Sequence, residues 1–183
     1  MISCRILLAN ELPKYAQFIK ARRMDSLCMY FGYPITDIGI EQLLESIEDN
    51  PSKHRIVVAE DADLEIVGTI HIANISDTEV EFGVMVAESH RNMGISSIMM
   101  EYALAWCQNR CLRDVYMHCL SYNAPILHLV RKYGLEVSKD HGDADARVTL
   151  PLPNIFTLGR ESVARQQNTI HHNILSFKKL LAA

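Results

Sequence analysis

Residues 80–100 read VEFGVMVAESHRNMGISSIMM, and this stretch changes character twice. It opens with alternation that, in a strand, puts Glu79, Glu81, Gly83 and Met85 on one face and Val80, Phe82, Val84 and Val86 on the other. Two carboxylates on an otherwise apolar strand suit either a solvated edge or the wall of a cleft that receives a cation. Past Val86 the chain turns through AESHRNMG and resumes at helical spacing. The amides near Met93, Gly94, Ile95, Ser96 and Ser97 then become the unpaired donors of a first helical turn, and with the helix dipole they favour a phosphate. Asn92 tolerates a left-handed backbone, Gly94 presents no Cβ to an approaching ligand, and small Ser96 leaves that approach open.

The segments on either side supply a sheet for this strand. A short apolar run begins the chain, residues 13–31 carry apolar positions at mixed helical spacing, and PITDIGIEQLLESIEDN predicts a second helix starting near Thr36 or Asp37. RIVVAEDADLEIVGTIHIAN predicts an antiparallel hairpin turning at Asp61 to Asp63. Downstream, Ile95, Ile98, Met99, Tyr102, Ala103, Trp106 and Cys107 recur at three and four, giving a helix to about Cys111. A strand DVYMHCL, a helix from Ala124 to Lys132 and the strands GLEVS and ARVTLPL follow. The order β-αα-βββ-α-β-α-ββ indicates an α/β (α+β) fold, with a mixed central sheet of about seven strands and helices on both faces.

The length of 183 residues suits one packed domain, taken as residues 1–153, with residues 154–183 as a helical extension. That extension carries a stripe of Val163, Ile170, Ile174, Phe177 and Leu181, which needs a surface to pack on, either the domain itself or a second copy in a homodimer. A net charge of −4 argues against nucleic acid or anionic membrane as partners. The N-terminus lacks a basic region and a small-residue cleavage site, so it reads as a first strand rather than a signal peptide. No apolar window reaches the roughly 18 residues of a membrane span.

Cys4, Cys28, Cys107, Cys111 and Cys119 are odd in number and fall in apolar periodic segments, which predicts reduced, buried thiols and a cytoplasmic location. Cys107 and Cys111, four apart on one predicted helix face, and His118 are metal-ligand types, but the paired C-x-x-C spacing of zinc sites is absent and no metal is expected. His71, His90, His118 and His128 read as surface or satisfied core groups, and Cys119 as a structural thiol.

RNMGIS, residues 91–96, resembles the R/Q-x-x-G-x-G/A signature of the GNAT superfamily of acetyl-coenzyme A dependent N-acetyltransferases. NAPILHLVRKYGLEV, residues 123–137, resembles the same family's second coenzyme-binding motif. Further likeness in MDSLCMYFGYPITDIGIEQLL, VEFGVMV and YGLEVSKDHGDADARVTLPL is to the GNAT domain of bacterial protein lysine acetyltransferases. The resemblance implies acetyl-CoA as cosubstrate and an amine acceptor, a small molecule or a protein lysine. It implies that the strands ending at Val86 and Leu120 splay to admit pantetheine, paired to the backbone near Val84, Met85 and Val86 as an added strand would be. The pyrophosphate would rest on Arg91, Asn92, Met93, Gly94, Ile95, Ser96 and Ser97, and Asn123 would reach the coenzyme from the opposite side.

An amine arrives largely as ammonium, so a base is needed. Glu81 matches the family's strand glutamate and lies about 10 Å along the strand from Val84, a gap that a relaying water would fill; Glu79 shares its face. The oxyanion would meet an amide near Met85 or Val86. The family's usual tyrosine position holds Val130, leaving either no dedicated acid or a role for Ser121 or Tyr122, with Tyr133 three residues too far along. The alternative to catalysis is a coenzyme-binding or protein-interaction module on the same fold. Acceptor selectivity would come from residues 29–33 and from an acidic loop at residues 141–145.

Overall fold

Seven segments pair into one mixed sheet in a computed structural model that describes residues 2–159, 161–163, 166, 173–175 and 177. The strands are β1 (Ser3–Ile6), β2 (His54–Glu60), β3 (Ile66–Asn74), β4 (Glu79–Val86), β5 (Asp114–Leu120), β6 (Glu136–Asp140) and β7 (Asp143–Thr149), in spatial order β1-β2-β3-β4-β5-β7-β6. All neighbours are antiparallel except β4 and β5. The helices are α1 (Leu12–Lys20), α2 (Met24–Phe31), α3 (Asp37–Asp49), α4 (Ile95–Gln108) and α5 (Ala124–Lys132).

The alternation along β4 sorts its side chains between two cores. Val80, Phe82 and Val84 join Met99, Met100 and Ala103 of α4 and Val130 of α5, whereas Met85 joins Tyr15, Phe18 and Ile19 of α1 and Ile40 of α3 on the opposite face. The contact with α4 is close at its first turn. A Cβ on Gly68 of β3 would stand 2.9 Å from Met99 Cε and 3.1 Å from Ile95 Cγ2, so glycine there lets the helix start lie directly on the sheet.

Three helices precede the sheet where the sequence suggested two. The expected helix over residues 13–31 breaks between α1 and α2, although neither glycine nor proline stands at the break. Arg22 holds the interruption: its Nε donates to the Phe18 carbonyl at 3.0 Å, its guanidinium lies 4.7 Å from the Phe18 ring centroid, and it pairs with Glu88 at 2.9 Å. Thr36 caps α3 through Oγ1, which accepts from the Gly39 amide, and the helix begins where expected.

Glu60, at the end of β2 between β1 and β3, is fully buried and accepts from Arg5 Nε at 3.0 Å; Arg5 also reaches Glu11 at 2.5 Å. The anticipated acidic loop at 141–145 is instead a hairpin tip, because β7 pairs with β5 over seven positions and carries Asp143 and Asp145 into the sheet. The cysteine expectation also needs correcting. Cys4, Cys107 and Cys119 are buried, but Cys111 is exposed in the turn beyond α4 at φ +60°, so it does not share a helix face with Cys107.

Beyond β7, the C-terminal segment meets the domain through polar contacts. Asn109 donates to the Thr157 carbonyl and to Glu161, and Arg110 pairs with Glu161 at 2.9 Å. Ile170 and Leu181 of the expected stripe lie outside the described residues, while Val163, Ile174 and Phe177 are all at least half exposed. Of the two surfaces the stripe was expected to pack on, the domain itself does not cover these three. Among the described residues no helix is long and apolar enough to cross a membrane.

Candidate active site

Strands β4 and β5 pair for only three positions, Glu79↔Asp114, Val80↔Val115 and Glu81↔Tyr116. Beyond them each strand keeps its outer partner: β3 follows β4 to Val86, and β7 follows β5 to Leu120. The sheet therefore opens just past Glu81. A cleft of about 580 Å³ occupies the opening, lined by Val84, Met85, Val86, Arg91, Asn92, Gly94, Ile95, Ser96 and Asn123, nine of the residues picked from sequence. A groove of about 810 Å³ between α1 and the β2–β3 turn contains neither the β4 carboxylates nor the α4 amides.

The turn before α4 has the backbone its sequence suggested. Asn92 stands at φ +62° and Gly94 at φ +76°, and a Cβ on Gly94 would meet nothing within 4 Å, so open space lies in front of it. The Ser97 amide bonds back to the Gly94 carbonyl at 3.0 Å, and its hydroxyl accepts from Lys132. Ser97 and exposed Met93 thus fall outside the cleft lining.

Arg91 is tied to α2 by a network the sequence did not reveal. Its guanidinium donates to Ser26 Oγ at 2.8 Å, Ser26 donates to Glu88 at 2.6 Å, and Glu88 also holds Arg22. Burial opposes the Glu88 charge, but hydrogen bonds from Ser26 and the backbone, with Arg22 nearby, keep its carboxyl down at about 2. Asn123 likewise has internal partners: its side-chain oxygen accepts from the Ile126 amide and its amide donates to the Met29 carbonyl, both at 3.4 Å. Asn123 thus caps α5 and reaches α2 while lining the cleft.

The carboxylates of β4 differ in surroundings. Glu79 lies 4.0 Å from Arg147, while Glu81 is half-buried and makes no hydrogen bond or ion pair among the described residues. Glu81 sits between two phenols. On one side, Tyr116 donates to Asp145 at 2.7 Å; burial first, then Asp145, pushes its phenol up to about 12. On the other, burial and the Glu81 charge push Tyr30 up to about 12, against an opposing contact from Tyr15. His118 Nδ1 also meets Asp145, at 3.0 Å, and with Tyr116 holds that carboxyl below its ordinary value.

The groups considered for the departing sulfur stand elsewhere. Val130 is fully buried in the core, Tyr133 donates to the Ser97 carbonyl and Glu101, and neither Ser121 nor exposed Tyr122 lines the cleft. Tyr30 does line it. His90 and His128 also border the cleft, whereas His71 is buried against His54 with ring nitrogens 3.0 Å apart. Among the described residues no cluster of three or more His, Cys, Asp or Glu side chains could hold a metal.

Solved structures share this architecture. The GNAT domain of S. lividans PAT superposes with a TM-score of 0.68 at 15% identity, covering 80% of this chain and 89% of that one. A GNAT-family acetyltransferase from Staphylococcus aureus Mu50 gives 0.67 at 16% identity, covering 82% and 100%. Spermidine N-acetyltransferase from Vibrio cholerae, in complex with CoA and spermine, gives 0.63 at 18%, covering 80% and 92%. At these identities the likeness is one of fold. No curated protein sequence matches the chain significantly. The family model described as acetyltransferase (GNAT) family matches residues 20–135, which run from the end of α1 through residues 91–96 and all but the last two positions of 123–137. With that match spanning well over half its length, the chain belongs to the GNAT acetyltransferase family.

Proposed function

We propose that this protein transfers an acetyl group from acetyl-coenzyme A to a primary amine, on a small molecule or a protein lysine, by direct attack with Glu81 as general base. The observation that carries the reading is the early end of the β4–β5 ladder at Glu81, which opens a cleft from Val84 to the start of α4; Glu81 itself stands just outside the cleft lining, at the closed end of the opening. The residues fit the coenzyme: the α4 amides and Arg91 suit a pyrophosphate, open space at Gly94 admits it, and the freed edge of β4 suits pantetheine amides. Acetyl-coenzyme A supplies an activated carbonyl.

The chain's own part follows from these positions. Glu81 takes a proton from the ammonium through a water, leaving the neutral amine free to attack. Backbone N–H groups near Met85 and Val86 donate to the oxygen as it gains charge. Asp143 and Asp145, neighbours of His118 on the β5 side, give the acceptor approach a negative character that favours a cationic amine.

Mixing the purified protein with acetyl-coenzyme A and a panel of amines tests the reading through release of free thiol. The expected result is amine-dependent release that Glu81→Gln largely abolishes. Full activity in Glu81→Gln would remove Glu81 from the role, and coenzyme binding with no amine consumed would make the protein a binding module instead.

A further inference from the structure

Acetyl transfer leaves the electron pair of the broken C–S bond on sulfur; Val130, at the family's usual tyrosine position, is apolar and buried, Tyr133 is bonded to Ser97 and Glu101, and Ser121 and Tyr122 lie outside the cleft. One phenol remains in the cleft. Tyr30 lies over Gly83 so closely that a Cβ there would stand 2.5 Å from its hydroxyl oxygen and 2.8 Å from Cζ. Any other residue at 83 would push the ring off the strand. Gly83 shares its face of β4 with Glu81 and Met85, so the hydroxyl sits between the candidate base and the stretch that suits pantetheine.

The ring is held in place. Phe31 packs against it edge-on at 4.7 Å between centroids. Tyr15, beneath it in the core, is fully buried, and its hydroxyl has no hydrogen-bond partner among the described residues. Tyr30 lines the cleft with Val84 and Met85, and its O–H is free to turn toward a ligand there.

Resting on the function proposed above, we infer that Tyr30 is the side-chain donor to the departing coenzyme sulfur. As the nitrogen bonds to the carbonyl carbon and the C–S bond breaks, the pair stays on sulfur and the Tyr30 O–H hydrogen-bonds to the thiolate. Two protons leave the nitrogen in the whole reaction; one passes to solvent through Glu81 and the other neutralises the thiol. Tyr30 ends as it began, protonated.

The test needs no acceptor. Coenzyme A is bound to the full chain and its thiol is titrated by the ultraviolet difference absorbance of the thiolate, in wild type, Tyr30→Phe and Gly83→Ala. A donor to the thiolate lowers the thiol pKa, so the bound thiol should titrate about one pH unit higher in Tyr30→Phe, with coenzyme affinity nearly unchanged. Gly83→Ala, which keeps the phenol but displaces it, should shift the titration the same way. Identical titration in wild type and Tyr30→Phe at saturating coenzyme would overturn the assignment. Failure of the wild type to bind coenzyme would overturn the proposed function itself, and this inference with it.

Discussion

Single residues carry the chemistry, and Glu81 carries the most. Because Glu79 stands beside Arg147 while Glu81 is unpaired next to the opening, the proposed mechanism assigns the proton to Glu81. Glu81→Gln should lower kcat by on the order of 10²–10⁴ and leave coenzyme affinity within about threefold, measured by steady-state kinetics and calorimetry; Glu79→Gln should keep most of the rate. The period of the strand made both carboxylates visible in the sequence, but the choice between them depends on Arg147, which arrives from β7. The sequence pointed to residues 29–33 only for acceptor selectivity, and the place of Tyr30 over β4 was not legible for the same reason. Only the packing of α2 onto β4 brings it over Gly83, and the sequence shows just an ordinary glycine in a strand.

At the scale of elements, the start of α4 was legible because glycine and asparagine in that turn have a narrow conformational meaning. Gly94 at φ +76° makes a sharp prediction. Gly94→Ala should cost only about 1 kcal/mol in a urea titration, since its Cβ meets no protein atom, yet weaken coenzyme binding more than about tenfold, since that Cβ stands where the ligand approaches. The break between α1 and α2 was not legible. It depends on Arg22 meeting Glu88, a contact across 66 positions that no local propensity encodes. Another long-range pair supports the first strand: Arg5→Met would remove the charged hydrogen bonds that Arg5 makes to buried Glu60 and to Glu11 and should destabilise the fold by on the order of 2–3 kcal/mol, read from the shift in urea midpoint.

For the whole molecule, the seven strands and the helices after the sheet were readable from apolar period, and the parting of β4 and β5 followed from the family resemblance. Buried polar pairs were not readable, and they set the response to pH. His71 is held neutral by burial first and by His54 second, its pKa down at about 4. The unfolded chain therefore binds more protons between about pH 6.5 and 4, so stability falls as pH drops through that window, by about 3 kcal/mol in total. Glu11 and Glu88, each held at about 2, stabilise the fold fully above their ordinary value of 4.5 and lose that contribution as pH falls toward 2. Thermal unfolding should show a Tm that declines in both ranges, and His71→Asn should flatten the upper one. The central claim, that the sheet opens between β4 and β5 to receive a coenzyme, is tested most directly by calorimetric titration of the wild-type protein with acetyl-coenzyme A and no amine present. Saturable binding of one coenzyme per chain is the predicted result; absence of binding heat at several temperatures, with no thermal stabilisation, would contradict it.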